Sequence, residues 1–214
     1  SKAGGVAAGD VLLAEKSAYL SPLFFMIRAA VYVLLWGFLS MKLFRFSTEQ
    51  DRTGDKWLSN KARFTSAWAM PLFALSIAFA AFDWLMSMDY RFFSTMWGVY
   101  YFAGAVFSSV PLVVLILTRL KAAGKLNGLV TEEYYHDLAK LMFGFTVFWA
   151  YIGFSQYFLI WYANIPEETA FFIARKTGGW ENLSRFLVIG HFAIPFYILL
   201  WRGVRRSVPL LSLM

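Results

Sequence analysis

The chain alternates between long apolar runs and short polar segments. A bilayer core about 30 Å thick requires roughly 20 mostly apolar residues in a helix, so a run of that length predicts a transmembrane helix. The runs are too long, and alternate too little, for the strands of a membrane barrel. We therefore predict an all-α integral membrane protein. Five runs meet the requirement, at residues 20–44, 64–87, 93–117, 138–162 and 183–204.

Lys and Arg residues are distributed unevenly between the two sides that these five runs define. The segments after the first, third and fifth runs hold thirteen of them, whereas the other side holds six. Cytoplasmic segments carry the excess of positive charge in membrane proteins. The amino terminus is therefore predicted outside, and the Arg202 end in the cytoplasm. The polar link at 51–61, with its turn signal Thr53, Gly54 and Asp55, is predicted to be a cytoplasmic loop.

Composition supports the membrane assignment and restricts the chemistry. Of 214 residues, 59% are hydrophobic, 20% aromatic and only 15% charged, whereas soluble domains have about 25% charged residues. The net charge of +7 reflects the basic segments between runs, so no nucleic-acid partner is predicted. Cysteine is absent and His136 and His191 are the two histidines. A disulfide and a thiolate-ligated metal within this chain are thereby excluded, and no metal site is predicted.

The ends of the sequence favour a part of a longer polypeptide. The chain begins at Ser1 without Met and stops soon after Pro209, where a further apolar run begins. We expect a sixth transmembrane helix from that point. The whole of residues 1–214 is predicted to form one membrane domain.

An acidic residue within the second run is the first candidate site. Asp83 shares a helix face with Ser76 and Ser87, seven residues before it and four after it. It could be one end of a proton path or a carboxylate beside a quinone headgroup. Alternatively, it could be an acid at a helix end that is solvated at the interface. Arg28, inside the first run, is expected to pair with Asp83 or Asp89, because a charge within a span is costly unless it is paired.

The fourth run carries a polar stripe at helical spacing. His136 and Lys140 are four residues apart at its start, and further steps of three or four residues continue the same face. We predict that this face looks into the helix bundle, where it could line a water chain from the cytoplasm. Alternatively, Lys140 snorkels and the hydroxyl groups bond to neighbouring helices. The stripe continues through Gly144, Val147, Tyr151, Ser155 and Tyr162.

His191 lies about 12 Å into the fifth run, at 1.5 Å per residue. Pro195 follows it by four residues, and a proline deprives the carbonyl of the residue four positions earlier of its helical donor. The histidine could carry protons or bond to a quinone carbonyl. A neutral histidine satisfied by a neighbouring helix explains the position equally well.

Three segments resemble a known family. They are residues 82–104, which contain FDWLMSMD and FSTMWGVYYFAG, residues 135–143 (YHDLAKLMF), and residues 148–169 (FWAYIGFSQYFLIWYANIPEET). Together they are similar to the NrfD-like, polysulfide-reductase-type membrane subunits of bacterial alternative complex III, and most similar to the ActF type. The resemblance extends over nearly the whole chain. Relatives often have an acidic-Pro-His run where this chain reads Asp89, Tyr90, Arg91 and Phe92, so a histidine function does not carry over there.

The resemblance implies a ten-helix subunit of the bacterial cytoplasmic membrane, of which this chain would be the carboxy-terminal part. It implies partners as well: a sister NrfD-like subunit, a periplasmic iron–sulfur subunit, multihaem and monohaem cytochromes c, and a terminal oxidase. Menaquinol or ubiquinol would be the substrate, and the haem c groups and iron–sulfur clusters would belong to the partner subunits. This chain would hold no covalently bound cofactor.

Two roles stay open within this family, and one function lies outside it. The subunit could contribute to the quinone site, or it could conduct protons along two half-paths that contain Asp83 and the fourth-run stripe. The alternative function is half of a secondary transporter, in which broken helices surround a polar site at the membrane midplane. Pro71, Pro111 and Pro195 could break three of the runs.

Overall fold

The computed structural model describes residues 11–89, 91–126, 128–205 and 207–211. This part of the chain is helical and contains no strand. The helices are α1 (Val11–Lys16), α2 (Pro22–Thr53), α3 (Trp57–Trp84), α4 (Trp97–Ala122), α5 (Glu132–Ala163), α6 (Pro166–Ala174), α7 (Trp180–Phe186), α8 (Ile194–Leu200), α9 (Arg202–Arg205) and α10 (Val208–Leu211).

Five helical segments in the described part of the chain are long and apolar enough to cross a membrane. Each overlaps one of the five predicted runs, and together they make this an all-α protein suited to a bilayer. Four of the segments are α2, α3 with the 3₁₀ turn Met86–Met88, α4, and α5. The fifth, Trp180–Leu200, consists of α7, a π-helical segment at Leu187–Ala193, and α8.

The chain divides into two compact units, the first ending at Phe93 and the second beginning at Ser94. In the first unit, α2 packs along α3. Helix α2 begins with Pro22, whose missing N–H is not needed at this position, and ends at Gly54 in the left-handed conformation (φ 69°). The predicted turn is therefore present. The loop predicted at 51–61 is shorter than predicted, because α2 continues to Thr53 and α3 begins at Trp57.

Polar residues extend the two helices beyond their apolar runs. The carboxylate of Glu49 accepts a hydrogen bond from Arg52, and Gln50 exchanges hydrogen bonds with Ser59 across the turn. The bilayer thickness limits only the apolar run, whereas the helix itself continues as long as its polar surface is solvated or paired. The lengths of the apolar runs therefore underestimate the lengths of α2 and α3 at the end where the turn joins them.

In the second unit, α4 packs against α5, and α8 packs against α5 as well. Buried side chains from these helices form one core with Leu211 of α10. Glycine permits close contact: a Cβ on Gly153 would lie 3.0 Å from Cε2 of Tyr100. The core consists of Val110, Val114, Tyr135, Ala139, Met142, Leu199 and Leu211.

The three prolines that could break a predicted run differ in their effect. Pro71 and Pro111 lie inside continuous helices α3 and α4, so neither breaks its helix. Pro195 is at the start of α8, directly after the π-helical segment. Pro209 lies in the four-residue helix α10, and residues 212–214 lie outside the described residues. The sixth transmembrane helix stays a prediction.

Candidate functional site

Asp83 forms the centre of a buried polar cluster in the first unit. The residue is 1% exposed, and its two carboxylate oxygens accept three hydrogen bonds. Oδ2 accepts from Arg28 Nε at 2.8 Å and from the Tyr32 hydroxyl at 2.7 Å, and Oδ1 accepts from the Tyr19 hydroxyl at 2.5 Å. The ion pair predicted between Arg28 and either Asp83 or Asp89 is present, with Asp83 as the partner.

Helical spacing brings the donors to the carboxylate. Arg28 and Tyr32 are four residues apart on α2 and therefore project from the same face, which packs against α3. Tyr19 approaches from the segment between α1 and α2, two residues before the N-cap residue Ser21. In the 3₁₀ turn that follows α3, the Ser87 hydroxyl donates to the backbone carbonyl of Asp83. The cluster therefore ties three separate segments of the first unit together.

Aromatic rings enclose the cation of this pair. The guanidinium carbon of Arg28 lies 4.0 Å from the Tyr19 ring centroid and 4.2 Å from that of Phe24. Such contacts stabilise a cation, and more so where water is excluded. Burial, followed by the hydrogen bond to Asp83, raises the pKa of the Tyr19 phenol to about 12. Tyr19 therefore remains a neutral donor at physiological pH.

A second aromatic layer continues from the cluster along α2 and α3. Tyr32 stacks on Trp36 with a centroid distance of 6.3 Å, and Trp84 meets both rings edge-on, at 6.0 Å and 5.7 Å. The indole N–H of Trp36 donates to the Ser76 hydroxyl at 2.9 Å. Ser76 is therefore buried in the same interface as Asp83, although its partner is Trp36.

These contacts exclude one of the interpretations of Asp83. An acid solvated at the interface would be exposed to water, whereas Asp83 is 1% exposed and fully hydrogen-bonded. That interpretation is wrong. Asp89, the other candidate partner of Arg28, instead accepts a hydrogen bond from the backbone N–H of Arg91.

The predicted orientation of the α5 stripe is wrong for the described chain. Tyr151 is 64% exposed and Tyr162 is 78% exposed, and Lys140 forms an exposed ion pair with Asp137 at 2.6 Å. His136 and Ser155 are only partly buried. The opposite face of α5 is the buried one, and it carries Ala139, Met142, Thr146, Ile152 and Gln156.

Polar residues lie on both faces of α5, so polarity could not identify the interior. On the buried face, the Thr146 hydroxyl donates to the Met142 carbonyl at 2.8 Å, and Gln156 accepts from the Ser94 hydroxyl at 2.7 Å. Small residues allow α4 to approach this face closely, as Gly153 does beneath Tyr100. The fit of side chains between α4 and α5, more than their polarity, therefore decides which face of α5 is buried.

His191 lies between two aromatic rings in the second unit. The centroids of Phe107 and Trp149 are each 4.7 Å from the imidazole centroid, and both rings are nearly perpendicular to it. The π-helical segment that contains His191 ends just before Pro195. This agrees with the expected loss of a helical donor to the His191 carbonyl, and π-segments frequently occur at functional sites.

No protein-family model matches the chain, and no curated protein matches it either. Within the described residues, no group of three or more His, Cys, Asp or Glu side chains could hold a metal ion. The structure brings Arg28, Ser76 and Asp83 into one interface, whereas His136, Lys140, Tyr151, Ser155 and His191 belong to the second unit.

Sequence reasoning missed three members of the Asp83 cluster. Tyr19, Tyr32 and Trp36 were not identified, although Tyr32 and Trp36 follow Arg28 at intervals of four residues. That spacing was the available signal. It was weak because aromatic residues are abundant in every run of this chain, on exposed and buried faces alike.

Proposed function

We propose that this chain is an integral membrane subunit of a respiratory quinol-oxidising complex of the alternative complex III type. Electrons would pass through iron–sulfur clusters and haem c groups of partner subunits, and this chain would serve proton transfer. The proposal is supported by the motifs at 82–104, 135–143 and 148–169 and by an acid buried in a membrane helix. Such acids commonly mark ion or proton pathways.

The observation that carries the proposal is the burial of Asp83 beneath Tyr19. At 1% exposure the carboxylate has no room beside it for a quinol headgroup, whereas the Tyr19 ring that covers it is 40% exposed. The Tyr19 hydroxyl donates to the carboxylate and so links it to the surface by one hydrogen bond. This arrangement favours proton transfer over direct quinol contact.

The proposed orientation places this cluster on the outer side of a bacterial cytoplasmic membrane. The charge distribution supports it, with thirteen Lys and Arg residues on the side of Gly54 and six on the side of Tyr19. Protons that leave a quinol at the outer face would then be released close to Asp83. The exposed α5 stripe contributes to an inner half-path only if a partner helix covers it.

The experiment uses the complex purified from its native membrane and reconstituted into vesicles. In complexes that assemble despite the loss of the Arg28 ion pair, Asp83→Asn should lower the protons translocated per electron while quinol oxidation continues. Ser109→Ala serves as the control, because that exposed hydroxyl bonds only within its own helix. Unchanged coupling in Asp83→Asn would overturn the proton role. A purified protein without c-type cytochromes, an iron–sulfur partner and quinol:cytochrome c activity would overturn the whole proposal.

The interrupted helix around His191 favours a second candidate, half of a secondary transporter. Transporter sites are formed by discontinuous helices near the midplane, and the π-helical segment Leu187–Ala193 is such an irregularity. Purification separates the two candidates. A transporter would be isolated without haem proteins and would move its substrate in the absence of any electron donor.

A further inference from the structure

An apolar groove lies in the second unit, between the end of α4 and the start of α5. It is open to the exterior and has a volume of about 440 Å³. Its walls include Val113 and Leu117 from α4, and Leu138 and Leu141 from α5. The groove therefore follows the two helices for about one turn on each side.

The floor of the groove is fixed by the core. Leu117, Val130 and Leu138 pack on their other side against the buried cluster of the second unit. Val113 and Leu141 form the outer edges, with 43% and 45% of their surfaces exposed. The groove is thus a shaped surface on a packed support, and it presents only hydrocarbon along most of its length.

Two ammonium groups lie at the loop end of this groove. Lys121 Nζ donates to the carbonyl of Val130 at 3.3 Å, and Lys140 Nζ is 2.6 Å from Oδ1 of Asp137. Val130 and Asp137 both line the groove. Asp137 offsets part of the charge of Lys140. Among the described residues, Lys121 is held by the neutral carbonyl and by the Tyr135 ring, 5.7 Å from its centroid.

The surroundings add to the positive charge at this end. Arg119 and Lys121 both belong to the last turn of α4. Tyr134, 58% exposed, also lines the groove, and tyrosine is enriched at the membrane–water interface. An apolar groove that ends in cations and an interfacial tyrosine is complementary to a phospholipid. Its apolar part matches the hydrocarbon chain, and its cations match the phosphate.

We propose that this groove binds an anionic phospholipid. One acyl chain lies along Val113, Leu117, Leu138 and Leu141, and the phosphate lies between Lys121 and Lys140. Basic pockets between membrane helices bind such headgroups on the cytoplasmic side, which is the side predicted for this end of α4. A neighbouring apolar helix would fill the groove but would supply no anion for Lys121, whose ammonium donates to a neutral carbonyl.

This inference is independent of the proposed respiratory function. It depends on the membrane location of the five helices, the shape of the groove and the position of the two lysines. A protein that failed every test of quinol oxidation could still retain the lipid.

The test places a photoreactive diazirine amino acid at Leu141 in the full chain, purified with its native partners and reconstituted in nanodiscs. The bilayer contains phosphatidylglycerol and phosphatidylcholine in equal amounts, and mass spectrometry identifies the adducts. Phosphatidylglycerol adducts should predominate. Lys140→Gln and Lys121→Gln should each reduce that preference roughly fivefold.

Lys125→Gln is the matched control, because this exposed lysine follows α4 and is not one of the residues that line the groove. It should leave the preference within about twofold of the original value, given the smaller effect of a more distant charge. Lys140 lies on an exposed surface, so its variant tests the proposal even if Lys121→Gln fails to fold. Equal labelling of both lipids, or adducts formed with a protein instead of lipid, would overturn the proposal.

Discussion

The guanidinium of Arg28 and the carboxylate of Asp83 form an ion pair across the α2–α3 interface, with 2.8 Å between Nε and Oδ2. The two residues are 55 positions apart in the chain, and 13% and 1% of their side chains are exposed. Two tyrosine hydroxyls complete the shell of the carboxylate. This pair joins the two long helices of the first unit at one end, while the turn at Gly54 joins them at the other.

Removing either partner of this pair should destabilise the protein strongly. Arg28→Gln would leave a buried carboxylate without a counter-charge, and Asp83→Asn would leave a buried guanidinium without one. Each change should lower the free energy of unfolding by about 3–5 kcal/mol. The double variant should cost much less than the sum, because no charge is then left alone. Denaturant titration of the four proteins in detergent micelles measures the coupling.

The pair between Arg52 and Glu49 supplies the control for this cycle. It lies on α2 as well, but 77% and 43% of the two side chains are exposed. Arg52→Gln should change the free energy of unfolding by only about 0–1 kcal/mol. Additive effects of Arg28→Gln and Asp83→Asn would contradict the assignment of a stabilising pair.

Tyr19 should make stability depend on pH in the alkaline range. Its pKa is about 12 in the folded chain and 10.0 in its unperturbed state. A group whose pKa is raised by folding stabilises the protein fully below the unfolded value and loses that contribution as pH approaches the folded value. Between pH 10 and about 12, the melting temperature should therefore fall less in Tyr19→Phe than in the original protein. Identical slopes would contradict this prediction.

Two glycines on α5 should respond differently to alanine. A Cβ on Gly153 would lie 3.0 Å from the Tyr100 ring, whereas a Cβ on Gly144 would meet nothing within 4 Å. Gly153→Ala should therefore cost about 1–3 kcal/mol through overpacking. Gly144→Ala should be neutral or stabilise the helix by up to about 1 kcal/mol. Thermal unfolding of both variants, with circular dichroism as the signal, compares them, and equal effects would contradict the packing of α4 on α5.

The absence of native cysteine allows a direct test of membrane orientation. Lys56→Cys and Leu129→Cys place a single thiol in the turns after α2 and α4, and Thr177→Cys places one after α6; all three positions are exposed. A membrane-impermeant maleimide added to intact cells should label only Thr177→Cys. In inverted vesicles it should label the other two. The reverse pattern would invert the proposed orientation, and with it the side assigned to Asp83.

The length of each apolar run was sufficient to predict five helices that are long and apolar enough to cross a membrane. The ends of α2 and α3 were not predictable in this way, because polar residues such as Gln50 and Ser59 satisfy each other across the turn and prolong the helices beyond the apolar limit. The irregularity near His191 was foreseen, since a missing donor at Pro195 is a local property of the backbone.

The charged residues of the candidate site were predictable from the sequence, whereas its neutral residues were not. Arg28 and Asp83 stand out because a charge in an apolar run is costly without a partner. Tyr19 and Tyr32 did not, because a neutral phenol is tolerated in many places in a membrane protein. On α5, polar residues on both faces made the interior ambiguous, and the stripe with Lys140 and Tyr151 was assigned to the wrong side.

By itself, then, the sequence determined the helical class, the number of long apolar helices and the need to pair Arg28. Those properties follow from hydrophobic length and from the cost of burying a charge, which depend on the residues alone. Only the tertiary structure decided which face of α5 is buried, that Asp83 is the partner, and that Tyr19 covers it. Those outcomes depend on how small residues and rings fit between helices, and that fit is set by contacts between residues far apart in the chain.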